Sequence, residues 1–395
     1  MTFGRHLRDE WLLDPAIIYL NHPTVGATPR QVLAAQRAIQ DEAERQPSRF
    51  MLRELTAIVV GRARPDRPRL RVAADAVGAF VGARGDDLVF VDNTTTGANA
   101  VLRGYPFEAG DEILVSDLGY GGVTLAAHFA ARERGATVRT VAIPPPWRSE
   151  AVADAFEQAV GPRTRLAVVD HIAAEAAIVF PLADIAARLR RRGVAVLADG
   201  AHAPGSIPLD VPAQGVDWYT ANLHKWAFVP RSSGFLWAAP ERQATLHPAV
   251  ISWGLDQGFT TEFDMVGTRD PSPHLAAPAA FAFIERLGGL AAIHAYTHDL
   301  CWQGAHLLAK RWGTTFDTPR AMIGAMASIT LPPSLGSTSD DAATVRDGLL
   351  FDDGIEVAVH AAGGRLHMRV SAQVYNDLSD YETLAEAVAR RARGA

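Results

Sequence analysis

The sequence has a single cysteine, Cys301, in 395 residues. One thiol excludes an intramolecular disulfide and a metal site built from cysteines alone. Cys301 falls in an apolar helical pattern with Leu300 and Leu307, so it is expected as buried filler rather than as a nucleophile. No apolar run approaches the ~20 residues that a bilayer span requires. The start, Met1-Thr2-Phe3-Gly4-Arg5-His6, lacks the charged-then-apolar layout of a signal peptide. The expected location is therefore cytoplasmic, in a reducing compartment, with no membrane partner. An excess of positive charge is missing too, since the net charge is −6. Nucleic acid is not an expected partner. The cluster Arg188, Arg190, Arg191 and Arg192 ends a helical pattern and is expected as a solvated last turn. There is no internal repeat and no low-complexity tail.

What is present is ordinary for a globular chain: 48% hydrophobic and 21% charged residues. The length suffices for a large domain and a smaller one. Short β-rich runs alternate with helical patterns: Asp87–Val91, Glu112–Ser116, Val138–Ile143, Leu166–Asp170, Val194–Ala198 and Gly234–Ala238 read as strands. They are continuous apolar runs, the mark of strands buried on both faces of a mostly parallel sheet. The fold class is thus α/β, an open sheet with right-handed crossovers. Ligands in such sheets bind beyond the carboxyl ends of the strands. Polar residues gather there: Asn93 to Thr96, Asp117 and Tyr120, Asp170-His171, and Asp199 to His202. After about residue 285 the texture changes to a long helical stretch, Gly289–Trp312, then strands at Ala327–Leu331, Ile355–Val359 and Arg365–Ser371, and a last helix at Asp380–Arg393. The expected division is an N-terminal segment (1–30) that packs on the small domain or caps the site, a large α/β domain (31–285) and a small α+β domain (286–395).

The chemistry centres on Asn222-Leu223-His224-Lys225-Trp226. A lysine in that apolar setting is expected to be desolvated, and desolvation favours the neutral amine that forms an imine. Asp199 closes an apolar strand 26 residues earlier, placed to face a protonated ring nitrogen; a turn or N-cap aspartate is the plainer reading. Thr95-Thr96-Gly97 open a helix after a strand, so backbone N–H groups and hydroxyls converge where an anion could sit. Simple N-capping would use the same residues. His171, His202 and His224 at strand ends are a conceivable metal cluster, although the carboxylate supply is thin; no metal is expected.

These blocks resemble the class V aminotransferase family of fold-type I pyridoxal-phosphate enzymes, in its isopenicillin-N-epimerase-like branch. The resemblance covers nearly the whole chain. It rests on Asp199-Gly200-Ala201-His202-Ala203-Pro204, Ala221-Asn222-Leu223-His224-Lys225-Trp226, Ser252-Trp253-Gly254, Gly267-Thr268-Arg269-Asp270 and Arg369-Val370-Ser371, with Gly26-Ala27-Thr28-Pro29-Arg30 in support. It implies a large domain with a mostly parallel seven-stranded sheet, a small α+β domain and pyridoxal 5'-phosphate as cofactor. Lys225 would form the Schiff base and move the proton at the substrate α-carbon. Asp199 would hold the ring nitrogen, Tyr120 would lie on the ring face, and His202 would sit near the phenolic oxygen or the imine. Thr95, Thr96, Asn222 and His224 would hold the phosphate, with Thr268 reaching in from the second subunit of a homodimer. Arg369 would clamp the substrate carboxylate. Arg269 would reach a distal anionic group or pair with Asp270 or Asp264. Trp253 would bear on side-chain selectivity.

One stretch departs from the family pattern. In His171-Ile172-Ala173-Ala174-Glu175-Ala176-Ala177, Ala174 stands where a Ser or Asn would meet the cofactor's phenolic oxygen. Cys301, in its helical pattern, is not the mobile-loop cysteine that a persulfide-passing desulfurase needs. The expected activity is action at Cα or Cβ of a modified amino acid in secondary metabolism, foremost C–S β-elimination. The alternatives are epimerisation and decarboxylation-dependent oxidative deamination. A non-catalytic regulatory relative would lack Lys225 or gain a DNA-binding segment.

Overall fold

The computed structural model describes residues 2–56 and 66–394. Met1, in the predicted 1–30 segment, residues 57–65, in the predicted large domain, and Ala395, in the predicted small domain, lie outside the described residues. The central sheet has seven strands: β2 (Leu88–Val91), β3 (Glu112–Ser116), β4 (Thr137–Val141), β5 (Thr164–Asp170), β6 (Ala195–Asp199), β7 (Trp218–Asn222) and β8 (Gly234–Ala238). Their order is β2-β8-β7-β6-β5-β3-β4. All neighbours run parallel except β8, which is antiparallel to both β2 and β7. The inner strands are largely apolar because both faces are covered, whereas the edge strand β4 exposes Thr137, Arg139 and Thr140. In β2, Leu88 and Phe90 join one apolar cluster while Val89 and Val91 join another. The same alternation in β5 and β6 divides Ala167 and Val169 from Leu166 and Val168, and Val196 and Ala198 from Ala195 and Leu197.

Crossover helices do the covering, and one shows why. In Leu182–Arg191 the buried residues are Leu182, Ile185, Ala186 and Leu189, one stripe of an amphipathic helix. Arg190, Arg191 and Arg192 are exposed, as expected of a solvated last turn, and Arg188 is the exception. The Arg188 side chain is only 18% exposed and bonds Asp154 and Glu157 of the helix Ser149–Ala159 as well as its own Asp184. It joins two helices.

A second sheet, of order β11-β12-β9, contains β9 (Met326–Thr330), β11 (Ala358–Ala362) and β12 (Arg365–Ser371), all antiparallel. Its apolar cluster includes Leu300, Ile329, Met368 and Leu384. The single strand expected at Ile355–Val359 is divided. β10 (Ile355–Glu356) pairs with β1 (Ile18–Tyr19), and after Val357 the chain passes to β12. The cause is a partner distant in sequence: the N-terminal segment supplies β1 and then bonds Leu20 to Ser371. Cys301 is fully buried in the helix Gly289–Trp312, and burial pushes its thiol pKa up, away from the thiolate. Among the described residues no single helix is long and apolar enough to cross a membrane.

The N-terminal segment is locked onto the chain around Lys225. Gly26 adopts φ 69°, and a Cβ there would overlap the His224 carbonyl. Both the backbone sign and the contact demand glycine. Gly26→Ala is expected to destabilise the protein by about 3 kcal/mol. The check is a urea midpoint that falls without a change in slope.

Candidate active site

The carboxyl ends of β5, β6 and β7 bring Asp170, Asp199 and Asn222 to one edge of the sheet. Asp170 and Asp199 are register partners on adjacent strands. With the start of the helix Thr94–Gly104 they border a cavity of about 450 Å³. Lys225 lies in the turn after β7 and projects its amine into that cavity. Its Nζ is 3.2 Å from His202 Nε2. Burial pulls the amine down to about 7 against the opposing pull of Asp199. Of 38 basic residues only Lys225 and Lys310 are lysines, and Lys310 is exposed. Lys225 is therefore the one buried lysine, and near neutral pH a large share of its amine is unprotonated.

Several polar groups around the amine await a partner. Asp199 Oδ1 accepts the Ala201 N–H at 3.0 Å, whereas its buried Oδ2 has no partner among the described residues. The same is true of Thr94 Oγ1 and His202 Nδ1. Buried polar atoms are rarely left so without cause. Burial raises Asp199 above the ordinary carboxyl range, and Lys225 opposes the rise. Asp170 is raised further, by burial and then by the charge of Asp199, with hydrogen bonds from the Tyr120 N–H and Ser116 opposing the rise. An N–H donor of positive charge beside Asp199 would satisfy the free oxygen and restore the carboxylate.

At the helix start two backbone N–H groups are capped by side chains, while the Thr94 hydroxyl is left without a partner among the described residues. Asn93 Oδ1 accepts the Thr96 N–H at 3.0 Å, and Asn222 Oδ1 accepts the Thr94 N–H at 2.9 Å. Thr95 and Thr96 line the cavity with Thr94. His224 meets the Ser233 carbonyl at 3.0 Å through Nδ1, leaving Nε2 toward the cavity; burial depresses it to about 4. Burial holds His202 well below the ordinary histidine range, with the Lys225 charge adding to it. An anion would find hydroxyls, an amide and the positive end of a helix together.

Arg369, on β12, does not itself line the cavity but bonds Ala174 and Thr24, which do. It is buried, and Nη1 donates to the Ala174 carbonyl at 2.7 Å while Nη2 donates to Thr24 Oγ1 at 2.6 Å and Asn21 Oδ1 at 3.2 Å. These partners are all neutral, and Nε has none among the described residues. Burial lowers the guanidinium to about 10, so it stays charged at neutral pH. The charge of Glu175 opposes that fall, but no hydrogen-bond partner of the guanidinium is an anion, so a carboxylate from outside the chain would be well placed there. The Ala174 departure appears in a new light: its backbone oxygen holds Arg369, and its methyl lines the cavity.

Other expected residues stand elsewhere. Tyr120 borders the cavity but is 49% exposed. Trp253 is 76% exposed, Thr268 is on the surface, and neither lines the cavity. Arg269 pairs with Asp92 at 2.9 Å and with neither expected aspartate, because Asp264 is taken by buried Arg71 and Asp270 by Gln40 and Ser272. The histidine cluster does not form: His171 Nδ1 meets the Tyr219 hydroxyl at 2.8 Å and His171 does not line the cavity. Sequence reasoning missed Thr94, Thr24 and His22. Thr94 was legible in the Asn93 to Thr96 run. Thr24 and His22 had no local signal; His22 Nε2 is 2.9 Å from the Lys225 carbonyl and Nδ1 2.8 Å from the Tyr375 hydroxyl.

The model of the family described as aminotransferase class-V matches residues 67–384. A probable chloroplastic L-cysteine desulfhydrase of Arabidopsis thaliana is 32% identical over 95% of this chain and 83% of its own length. The isopenicillin N epimerase of Streptomyces clavuligerus is 31% identical over 96% of both chains. Among solved structures, C-DES with glycine covalently linked to its pyridoxal-phosphate cofactor matches at TM-score 0.78 and 21% identity, over 97% of this chain and 98% of its own. That likeness concerns the fold.

The depressed amine has a direct readout. Condensation of Lys225 with an added aldehyde should speed up as pH rises through about 7 and level off above it, since only the neutral form attacks. A midpoint near ~10, the ordinary lysine value, would mean a solvated amine. Borohydride should fix the adduct on the peptide bearing residue 225 and not on that bearing Lys310.

Proposed function

The chain belongs to the class-V aminotransferase family and is a pyridoxal-phosphate enzyme, a lyase or epimerase by its relatives, and we propose that it cleaves the Cβ–S bond of an S-substituted cysteine. The orphaned Asp199 Oδ2, the unpartnered Thr94 hydroxyl at the start of the helix Thr94–Gly104 and the one buried lysine fit that cofactor. Asp199 would hold the ring nitrogen. Thr94, Thr95, Thr96, Asn222 and His224 would take the phosphate, and Tyr120 would lie on the ring face. Pyridoxal phosphate supplies an aldehyde that condenses with amino groups and a ring that accepts the electrons of a bond broken at the α-carbon.

The observation that carries the elimination reading is the Lys225–His202 pair at 3.2 Å. Elimination needs a base for the α-proton and a proton for the departing sulfur. Lys225 in its neutral form takes the first. His202, kept neutral by burial, relays a proton between that amine and the leaving group. The substrate carboxylate would neutralise Arg369 and orient the α-carbon over Lys225. Atoms balance: an S-substituted cysteine and water give a thiol, pyruvate and ammonia. Epimerisation is the second reading. It needs a second proton donor across the α-carbon, and the phenol of Tyr120 at the cavity border would be that donor.

S-methyl-L-cysteine should yield methanethiol and pyruvate in equal amounts, and Lys225→Ala should lower kcat about a thousandfold. Exchange of the α-proton in D₂O with neither product would replace elimination by epimerisation.

A further inference from the structure

A second cavity, of about 350 Å³, adjoins the first; both are lined by Thr24. Thr24 is also the residue whose hydroxyl accepts from Arg369 Nη2. A substrate held by its carboxylate on Arg369 therefore carries its side chain beside this wall. The volume lies in the range of small-molecule pockets.

The chemistry of the wall follows from which groups are already engaged. Arg8 donates to the carbonyls of Asp14 and Ile17. Asp14 Oδ1 accepts the Ala16 N–H at 2.9 Å, and Glu356 Oε1 accepts from Asn21 Nδ2 at 2.7 Å. Burial pushes the Tyr19 phenol up to about 12, so it stays neutral. Each of these charged side chains makes at least one hydrogen bond within the protein, although Arg8 Nε is buried without a partner among the described residues. The apolar part of the wall is Leu13, Ile17, Val25 and Leu350.

We propose that this cavity is the subsite for the sulfur substituent, and that it selects cysteine thioethers bearing an apolar alkyl or aryl group larger than methyl. The inference rests on the elimination reading for the identity of the sulfur, but its test does not depend on turnover. Each methylene buried there strengthens binding by roughly a factor of four.

The experiment titrates the holoenzyme with S-benzyl-L-cysteine and S-methyl-L-cysteine, following binding by calorimetry and by the cofactor absorbance. The benzyl compound should bind at least about tenfold more tightly. Leu350→Trp and Ile17→Trp, which fill the cavity, should abolish that preference and leave the S-methyl affinity unchanged. Leu350→Ala should weaken the benzyl compound alone by several-fold. Equal affinities in the native protein, or a preference that survives both tryptophan variants, would overturn the proposal. The expected affinities without pyruvate from either compound would sink the elimination reading and leave the subsite standing.

Discussion

A primary amine enclosed by protein must lose its proton or find an anion, and that constraint shapes everything around Lys225. Burial strips the amine, while Asp199, itself buried at the end of β6, pulls the other way. Neither is fully compensated by the other, and Asp199 keeps an oxygen without a partner. The protein spends stability to hold both in place. Pyridoxal phosphate held between Lys225 and Asp199 would relieve both strains, since it would supply an aldehyde for the amine and a ring N–H for the carboxylate.

The same logic applies to Arg369. Its guanidinium meets neutral acceptors from two separate parts of the chain, Asn21 with Thr24 and Ala174, while the guanidinium itself comes from a third. The site is thus an incomplete electrostatic system, with a depressed amine facing a buried carboxylate and a buried guanidinium among neutral acceptors. The N-terminal segment ties these two parts together, since His22 touches the Lys225 carbonyl while Thr24 touches Arg369. Gly26 lets this segment lie directly on the His224 carbonyl. The departure at Ala174 fits the system: the side-chain hydroxyl or amide is gone, yet the backbone oxygen has a task.

Local features were legible where one short stretch carries both element and chemistry. The apolar strands ending in Asp170 and Asp199 announced a buried sheet with its site at the strand ends. The run Asn93 to Thr96 announced a helix start with anion donors. His224-Lys225-Trp226 announced a desolvated amine, and the scarcity of lysine, two against many arginines, was a further signal. Features made by distant segments were not legible. The β1–β10 pairing, the His22 contacts, the Thr24 wall and the Arg269–Asp92 pair join residues separated by 177 to 353 positions, and no period or spacing records them.

The sequence by itself determined the layered α/β architecture and the identities of the amine and its carboxylate, because periodicity and residue type act over a few residues. Tertiary structure alone decided which cations lack anions, which hydroxyls are orphaned and which two cavities share a wall. Burial and charge compensation are sums over neighbours in space, and those neighbours come from both ends of the chain.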